Sequence, residues 1–281
     1  MVDLLDGKKA AQLADQEFSQ RINDLKLMGI TPGLAVILIG NDSASQVYVR
    51  NKKRRAQKVG INYQLFHLAE NITQTAVLQL INKLNHDPEI DGIMVQMPVP
   101  PQIDAAKVMN AIAVDKDVDG FSFDNIGRLW SNNSGNFPAT PRGIIRLLQQ
   151  YEISVAQKHV VVVGRSNIVG RPMAGLLLNA DATVTMAHSK TPNLAALTKQ
   201  ADILIVAIGQ AEFITADYVK PQSVVIDVGM NHDVTGKLVG DVDFSSVSQV
   251  ASMLTPVPGG VGPMTITGLL EQVIILAEKR A

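Results

Sequence analysis

Short apolar runs alternate along the chain with segments whose apolar residues recur every three or four positions. Leu34–Ile39 is apolar on both faces, as a strand covered on two sides must be, and Tyr63–Leu68 and Gly92–Gln96 follow it. Ahead of them, Ala11, Ala14, Phe18, Ile22 and Leu25 fall at helical spacing, and Gly29 supplies a stop. Asp42 or Ser43 caps a helix running to Gly60, Thr73 opens another, and Asp104 caps a short one to Ile112. Four further strands are expected at His159–Gly164, Ala182–His188, Asp202–Ala207 and Ser223–Val228, and a last helix from Thr265 to Lys279. Strands separated by helices predict an α/β fold with a largely parallel sheet.

A break falls at Thr140-Pro141, where Thr can cap a helix and Pro can take its first position. Ile144, Ile145, Leu147 and Leu148 give that helix an apolar face. The apolar last helix is expected to return to the first domain, because the termini of compact chains often lie close together. The expected division is therefore 1–140 plus 262–281 as one domain and 141–261 as an insertion.

Composition narrows the function. A length of 281 residues suits two domains, each with its own core. With 25 Lys+Arg against 26 Asp+Glu, there is no electrostatic reason to expect nucleic acid or an anionic membrane as partner. The absence of Cys excludes disulfides, thiolate nucleophiles and Cys-based metal sites. The five His (67, 86, 159, 188 and 232) show no metal-ligand spacing, so no metal is expected. No run approaches the roughly 18 uninterrupted apolar residues of a membrane helix. Asp3 and Asp6 stand where a signal peptide needs an apolar run, which points to a cytoplasmic protein.

The segment Val160-Val-Val-Val-Gly-Arg-Ser-Asn-Ile-Val-Gly-Arg-Pro-Met carries the first candidate chemistry. An apolar strand ends at Gly164, and Gly170 lies just inside the helix that follows, a variant of the G-x-G-x-x-G dinucleotide fingerprint. Gly164 allows the tight turn, and backbone N–H groups at the helix start can hold a pyrophosphate. An NAD site usually places a carboxylate about 20 residues on, at the end of the second strand. Here that strand ends in Ala187-His188-Ser189-Lys190-Thr191, and Arg165 sits in the first turn. Arg, Ser and Lys suit a 2′-phosphate through charge-assisted hydrogen bonds, so the cofactor expected is NADP. Residues 141–261 thus read as a Rossmann-type dinucleotide-binding domain.

In the other half, Tyr48 and Lys52 stand at i and i+4, on one helical face. They read as an aromatic platform beside a lysine acid/base, or, with Lys53-Arg54-Arg55, as a solvated basic face. Gln96 ends a strand, where open α/β sheets bind ligands. Asp115-Lys-Asp-Val-Asp-Gly120 clusters three carboxylates without the spacing of a calcium loop. Pro256-Val-Pro-Gly-Gly-Val-Gly-Pro-Met-Thr265 permits close backbone approach to a flat ligand, or serves as a hinge between domains.

Together these segments resemble the bifunctional methylenetetrahydrofolate dehydrogenase/cyclohydrolase family. The matching pieces are Tyr48-Val-Arg-Asn-Lys52, Val95-Gln-Met-Pro98, Lys116-Asp-Val-Asp-Gly120, Gly164 through Pro172, His188-Ser-Lys-Thr191 and Pro256 through Thr265. The resemblance implies an α/β substrate domain and an NADP-binding domain with a cleft between them, in a homodimer. It implies oxidation of 5,10-methylenetetrahydrofolate by NADP to the methenyl form, which is then hydrolysed to 10-formyltetrahydrofolate. Matching positions assign proton transfer to Lys52, its orientation to Gln96, substrate stacking to Tyr48 and pterin hydrogen bonds to Asp119. Pro258 and Gly259 would also meet the substrate. Gly164, Arg165, Ser166, Ile168, Gly170, Ser189 and Gly209 would meet the cofactor. Ile208 and Arg171 are side-chain departures beside motifs. The alternatives are a shikimate dehydrogenase-like NADP oxidoreductase, against which the glycine-proline segment argues, and a non-catalytic dinucleotide sensor.

Overall fold

The computed structural model describes residues 2–281. The chain forms two compact units, one of the residues up to Gln12 with Thr140–Gly268, the other of Leu13–Ala139 with Leu269–Ala281.

In chain order, β1 (Asp3–Leu4) and α1 (Gly7–Leu27) precede β2 (Gly33–Ile39), which is buried at every position. Then come α2 (Ser43–Val59), β3 (Asn62–Leu68), α3 (Gln74–Asn85), β4 (Gly92–Val95), α4 (Ala105–Asn110) and α5 (Phe123–Trp130). Strands β3, β2 and β4 form a parallel three-stranded sheet in that order, with Leu34 opposite both Tyr63 and Gly92. Asp42, Thr73 and Asp104 cap α2, α3 and α4 by accepting from Ser45, Ala76 and Lys107 amides. Ala35, Ile37 and Ile39 share a buried cluster with Val77, Ile81 and Leu84. Fully burying side chains of this size contributes about 1.5–3 kcal/mol each, which holds β2 central and its carboxyl end fixed.

The other unit continues with α6 (Ala139–Gln150), β5 (His159–Val163), α7 (Gly170–Asn179), β6 (Thr183–Ala187), α8 (Leu194–Thr198), β7 (Ile203–Val206) and β8 (Val224–Asp227). A small antiparallel pair, β9 (Asn231–His232) and β10 (Leu238–Val239), leads to α9 (Phe244–Val247), β11 (Met253–Leu254) and α10 (Val261–Glu278). Its sheet runs β1-β11-β8-β7-β5-β6, parallel throughout.

Three boundaries differ from expectation. The first residues pair with this six-stranded sheet, Asp3 opposite Met253 and Leu4 opposite Leu254, and not with the half that follows them. Leu5 is fully buried there among Ile144, Leu147 and Ile226, an anchoring too short to show as periodicity. The last helix begins at Val261, before Thr265, because Pro263 falls in the first turn, where its missing N–H breaks no bond. Helix α6 begins at Ala139, and the Thr140 hydroxyl meets Thr265 Oγ1 at 3.0 Å instead of capping. Helix α10 is long and apolar enough to cross a membrane by length and composition alone. Met264, Leu269, Leu270, Val273, Ile274 and Ala277 are all buried, so it serves as a core helix.

Candidate active site

Helix α2 sets Tyr48 and Lys52 one turn apart, and the Lys52 ammonium stands 5.5 Å from the Tyr48 ring centroid. Lys52 is only 6% exposed, whereas its neighbours Lys53 and Arg54 are exposed. The solvated-face reading holds for those neighbours and fails for Lys52. Gln96 follows β4, its amide N–H donating to Ile37 O at 2.8 Å and so continuing the sheet. Lys52 Nζ donates to Gln96 Oε1 at 3.0 Å, and Gln96 Nε2 donates to Met97 O at 2.8 Å. The second bond fixes which end of the amide faces the lysine. Burial lowers the Lys52 pKa, and the charge of Asp119 opposes that shift.

Asp119 stands on a turn built by its neighbour Asp117. The buried Asp117 carboxylate accepts from Gly120 N, Ser122 N and Asn125 Nδ2, at 2.9, 2.9 and 3.0 Å. Asn125 Oδ1 accepts from Asn136 N at 3.2 Å, and Gln272 Nε2 donates to Asn136 Oδ1 at 3.0 Å. Burial pushes the Asp119 carboxyl up to about 6, Lys52 pulls it down, and Asp117 adds to the rise. The structure thus brings Tyr48, Lys52, Gln96 and Asp119 into one interacting group. The buried amides Asn125, Asn136 and Gln272 were missed, although Glu271 and Gln272 together interrupt an otherwise apolar run from Leu269 to Leu276, and both are buried.

At the carboxyl ends of β5, β6 and β7 lies a cavity of about 400 Å³, lined in part by Gly164, Arg165, Ser166, Ser189, Ile208 and Gln210. Gly164 has φ 135, and a Cβ there would run into Ala207 O. Only glycine turns this corner. A Cβ on Gly170 would meet Gly164 O, so the helix packs directly on the turn. Arg165 and Ser189 are exposed at the rim, and no Asp or Glu lines the cavity. Ile168 is 55% exposed, while Ile168, Gly170 and Gly209 are not among the lining residues.

The helix start differs from expectation. Ser166 Oγ accepts from Val169 N at 3.2 Å and Gly170 N at 3.3 Å, Ser166 O accepts from Arg171 N at 3.0 Å, and Pro172 has no N–H. Those donors are engaged within the turn.

Behind the cavity, two carboxylates that the sequence reading missed are buried side by side. Asp227 ends β8 and accepts from Gly229 N, Asp241 N and Val242 N, at 2.9, 2.9 and 3.0 Å. Its carboxyl is pushed up to about 7, by burial first, against the pull of those amides. Asp241 in turn accepts from the loop after β7. Pro258 and Gly259 lie between β11 and α10, where Gly259 O accepts from Lys8 N at 3.1 Å. Among the described residues no group of three or more His, Asp or Glu is placed to hold a metal.

Residues 5–119 match the catalytic-domain model of tetrahydrofolate dehydrogenase/cyclohydrolase, and residues 138–281 match its NAD(P)-binding domain. The chain belongs to the tetrahydrofolate dehydrogenase/cyclohydrolase family. Within that family, the bifunctional protein FolD of Ligilactobacillus salivarius is 56% identical over 276 residues, 98% of this chain and 97% of that one. The FolD methylenetetrahydrofolate dehydrogenase/cyclohydrolase structure from Campylobacter jejuni has a TM-score of 0.98 at 48% identity, covering 100% of both chains. The Trypanosoma brucei FolD enzyme, solved with NADP cofactor and inhibitor, has a TM-score of 0.93 at 35% identity, covering 99% of this chain and 98% of that one. Shikimate 5-dehydrogenase of Thermus thermophilus shares the fold alone, at 11% identity and a TM-score of 0.52. That alternative reading falls with the difference.

Proposed function

We infer that the chain is a bifunctional NADP-dependent enzyme of one-carbon metabolism, oxidising 5,10-methylenetetrahydrofolate to the methenyl form and hydrolysing that product to 10-formyltetrahydrofolate. The observation that carries this reading is the buried Lys52 bonded to Gln96, within the electrostatic reach of Asp119, in a chain of this family.

In the oxidation, a substrate nitrogen lone pair drives hydride departure, so the chain's residues orient and need not remove a proton. NADP, when bound, supplies the hydride acceptor. Tyr48 offers its ring to the flat substrate, and Asp119, when ionised, accepts from pterin N–H groups. In the hydrolysis, water attacks a cationic carbon and must lose a proton. Lys52 takes it, because burial favours the neutral amine and the cationic substrate favours it further. Gln96 Oε1 accepts from Lys52 Nζ and so aims the nitrogen's lone pair. Pro258 and Gly259 meet the substrate as the resemblance implies. Gly164, Arg165, Ser166, Ile168, Gly170, Ser189 and Gly209 hold the dinucleotide, and the rim cation with no facing carboxylate favours the 2′-phosphate of NADP. A cytoplasmic location fits the bacterial relatives, a homodimer rests on the resemblance, and sedimentation of the purified chain tests the dimer.

The direct test is absorbance at the reduced-nicotinamide band on adding methylenetetrahydrofolate with NADP or NAD, followed by the decay of the methenyl band. NADPH formation and faster-than-spontaneous methenyl decay are expected. The absence of both would leave a non-catalytic nucleotide binder.

A further inference from the structure

The loop that follows β7 borders the cavity through Ile208 and Gln210. All three of its consecutive amides point the other way, into one buried carboxylate. Asp241 Oδ2 accepts from Ile208 N at 2.7 Å and Gly209 N at 3.1 Å, and Oδ1 accepts from Gln210 N at 2.9 Å. Asn231 Nδ2 donates to the same Oδ1 at 2.8 Å, so both oxygens accept twice. Asp241 itself is 0% exposed and does not line the cavity. Successive backbone N–H groups wrapped around an anion form a concave nest, usually for a ligand phosphate. Here the nest is filled from within, by a residue that follows the loop by some thirty positions.

We propose that Asp241 is a positioning residue for dinucleotide binding: it holds the Ile208–Gln210 loop from behind, in the one conformation that borders the nucleotide cavity. An ionised carboxylate is acceptor-only, and no other side chain of its size accepts all four of these bonds. The loop needs the help because Gly209 sits at φ 67 with no side chain to pack, and glycine loses much conformational freedom when fixed. Gly229 makes room for the carboxylate, since a Cβ there would run into Asp241. Asp227 in turn fixes the Asp241 backbone through Asp241 N. The chain of command thus runs from the end of β8, through Asp241, to the loop at the end of β7. The inference rests on the nucleotide site proposed above.

The test is Asp241→Asn, which keeps the shape and turns one acceptor into a donor facing backbone N–H groups. NADPH affinity is read by fluorescence titration, and the NADP-independent hydrolysis of methenyltetrahydrofolate in the same preparation reports on the other unit. We expect the NADPH Kd to rise by at least about tenfold, the size of one lost charge-assisted bond, with hydrolysis within about twofold of the parent. An unchanged Kd, or an equal loss of both properties, overturns the proposal. If the variant does not accumulate as folded protein, Asn231→Ala removes the fourth donor to Asp241 and loosens the same carboxylate from outside the nucleotide site. Weaker NADPH binding with intact hydrolysis then supports the proposal, and an unchanged Kd overturns it. If the parent chain itself fails to bind NADPH, the nucleotide reading fails first, and the two failures are distinguishable.

Discussion

In the three-stranded unit, Lys52 is buried and bonded by its side chain to another side chain, while Asp119 titrates under its influence. In the six-stranded unit, Arg165 and Ser189 stand exposed at a cavity rim, and the buried carboxylates below them bond backbone amides. The difference follows from what each charge must do. A group that moves a proton has to sit near its switching point, and burial brings a lysine down and a carboxyl up toward it. A group that grips a phosphate must stay charged, and water keeps an arginine so at little cost. On the function proposed above, burial marks the chemistry in one unit and the scaffolding in the other.

That contrast breaks most visibly at Lys52. Lys52→Met retains the apolar stem and removes the proton acceptor, so methenyl hydrolysis should fall about 10²–10⁴-fold, measured with the spontaneous rate subtracted. Full hydrolysis in the variant would remove Lys52 from the mechanism and leave it a buried structural lysine. The corresponding cut in the other unit is Arg165→Ala, which should weaken NADP by roughly 1.5–3 kcal/mol while NAD changes little. Equal loss for both nucleotides, in parallel titrations, would make Arg165 structural.

The pH dependence sharpens the comparison. Asp119 carries a carboxyl raised to about 6, and only its ionised form offers both oxygens as acceptors, with no proton of its own facing the pterin donors. Folate binding should therefore tighten as pH rises through about 6, and weaken about tenfold per unit below it, in Asp119-containing protein only. Asp119→Asn should abolish that profile and leave NADPH binding intact. A raised carboxyl also means that its contribution to stability is full below the unfolded value of 3.8 and is lost as pH rises through 6. The smallest effect belongs to Ser189→Ala, the loss of one exposed hydroxyl donor at the rim, expected at about 1 kcal/mol against NADP alone. Its measure is the NADP-to-NAD ratio of KM values.

Much of this architecture was readable in the chain itself. Strand β2 announced itself through the six consecutive apolar residues Leu34–Ile39, and the caps at Asp42, Thr73 and Asp104 stand where the residue types put them. What escaped was non-local. Strand β1 exists because Met253 and Leu254 lie beside it, which no two-residue pattern can announce. Helix α5 was passed over although Ser122 caps it, because Gly127 and Asn125 dilute its helical signal. At the site, Tyr48, Lys52, Gln96 and Asp119 were legible as motif positions, but their burial and mutual bonding were not. Asp241 escaped for the same reason: a carboxylate between Gly240 and Val242 carries no sign of its partners until the loop it holds is folded onto it.

The separation of roles between the units is tested most directly by one progress curve. Lys52→Met is mixed with methylenetetrahydrofolate and NADP, and the methenyl band is followed together with NADPH. If Lys52 serves the hydrolysis and the other unit serves the nucleotide, methenyltetrahydrofolate should accumulate nearly one-for-one with NADPH, where the parent chain passes it on to the formyl product. NADPH formation with no methenyl accumulation above the parent level would contradict the account.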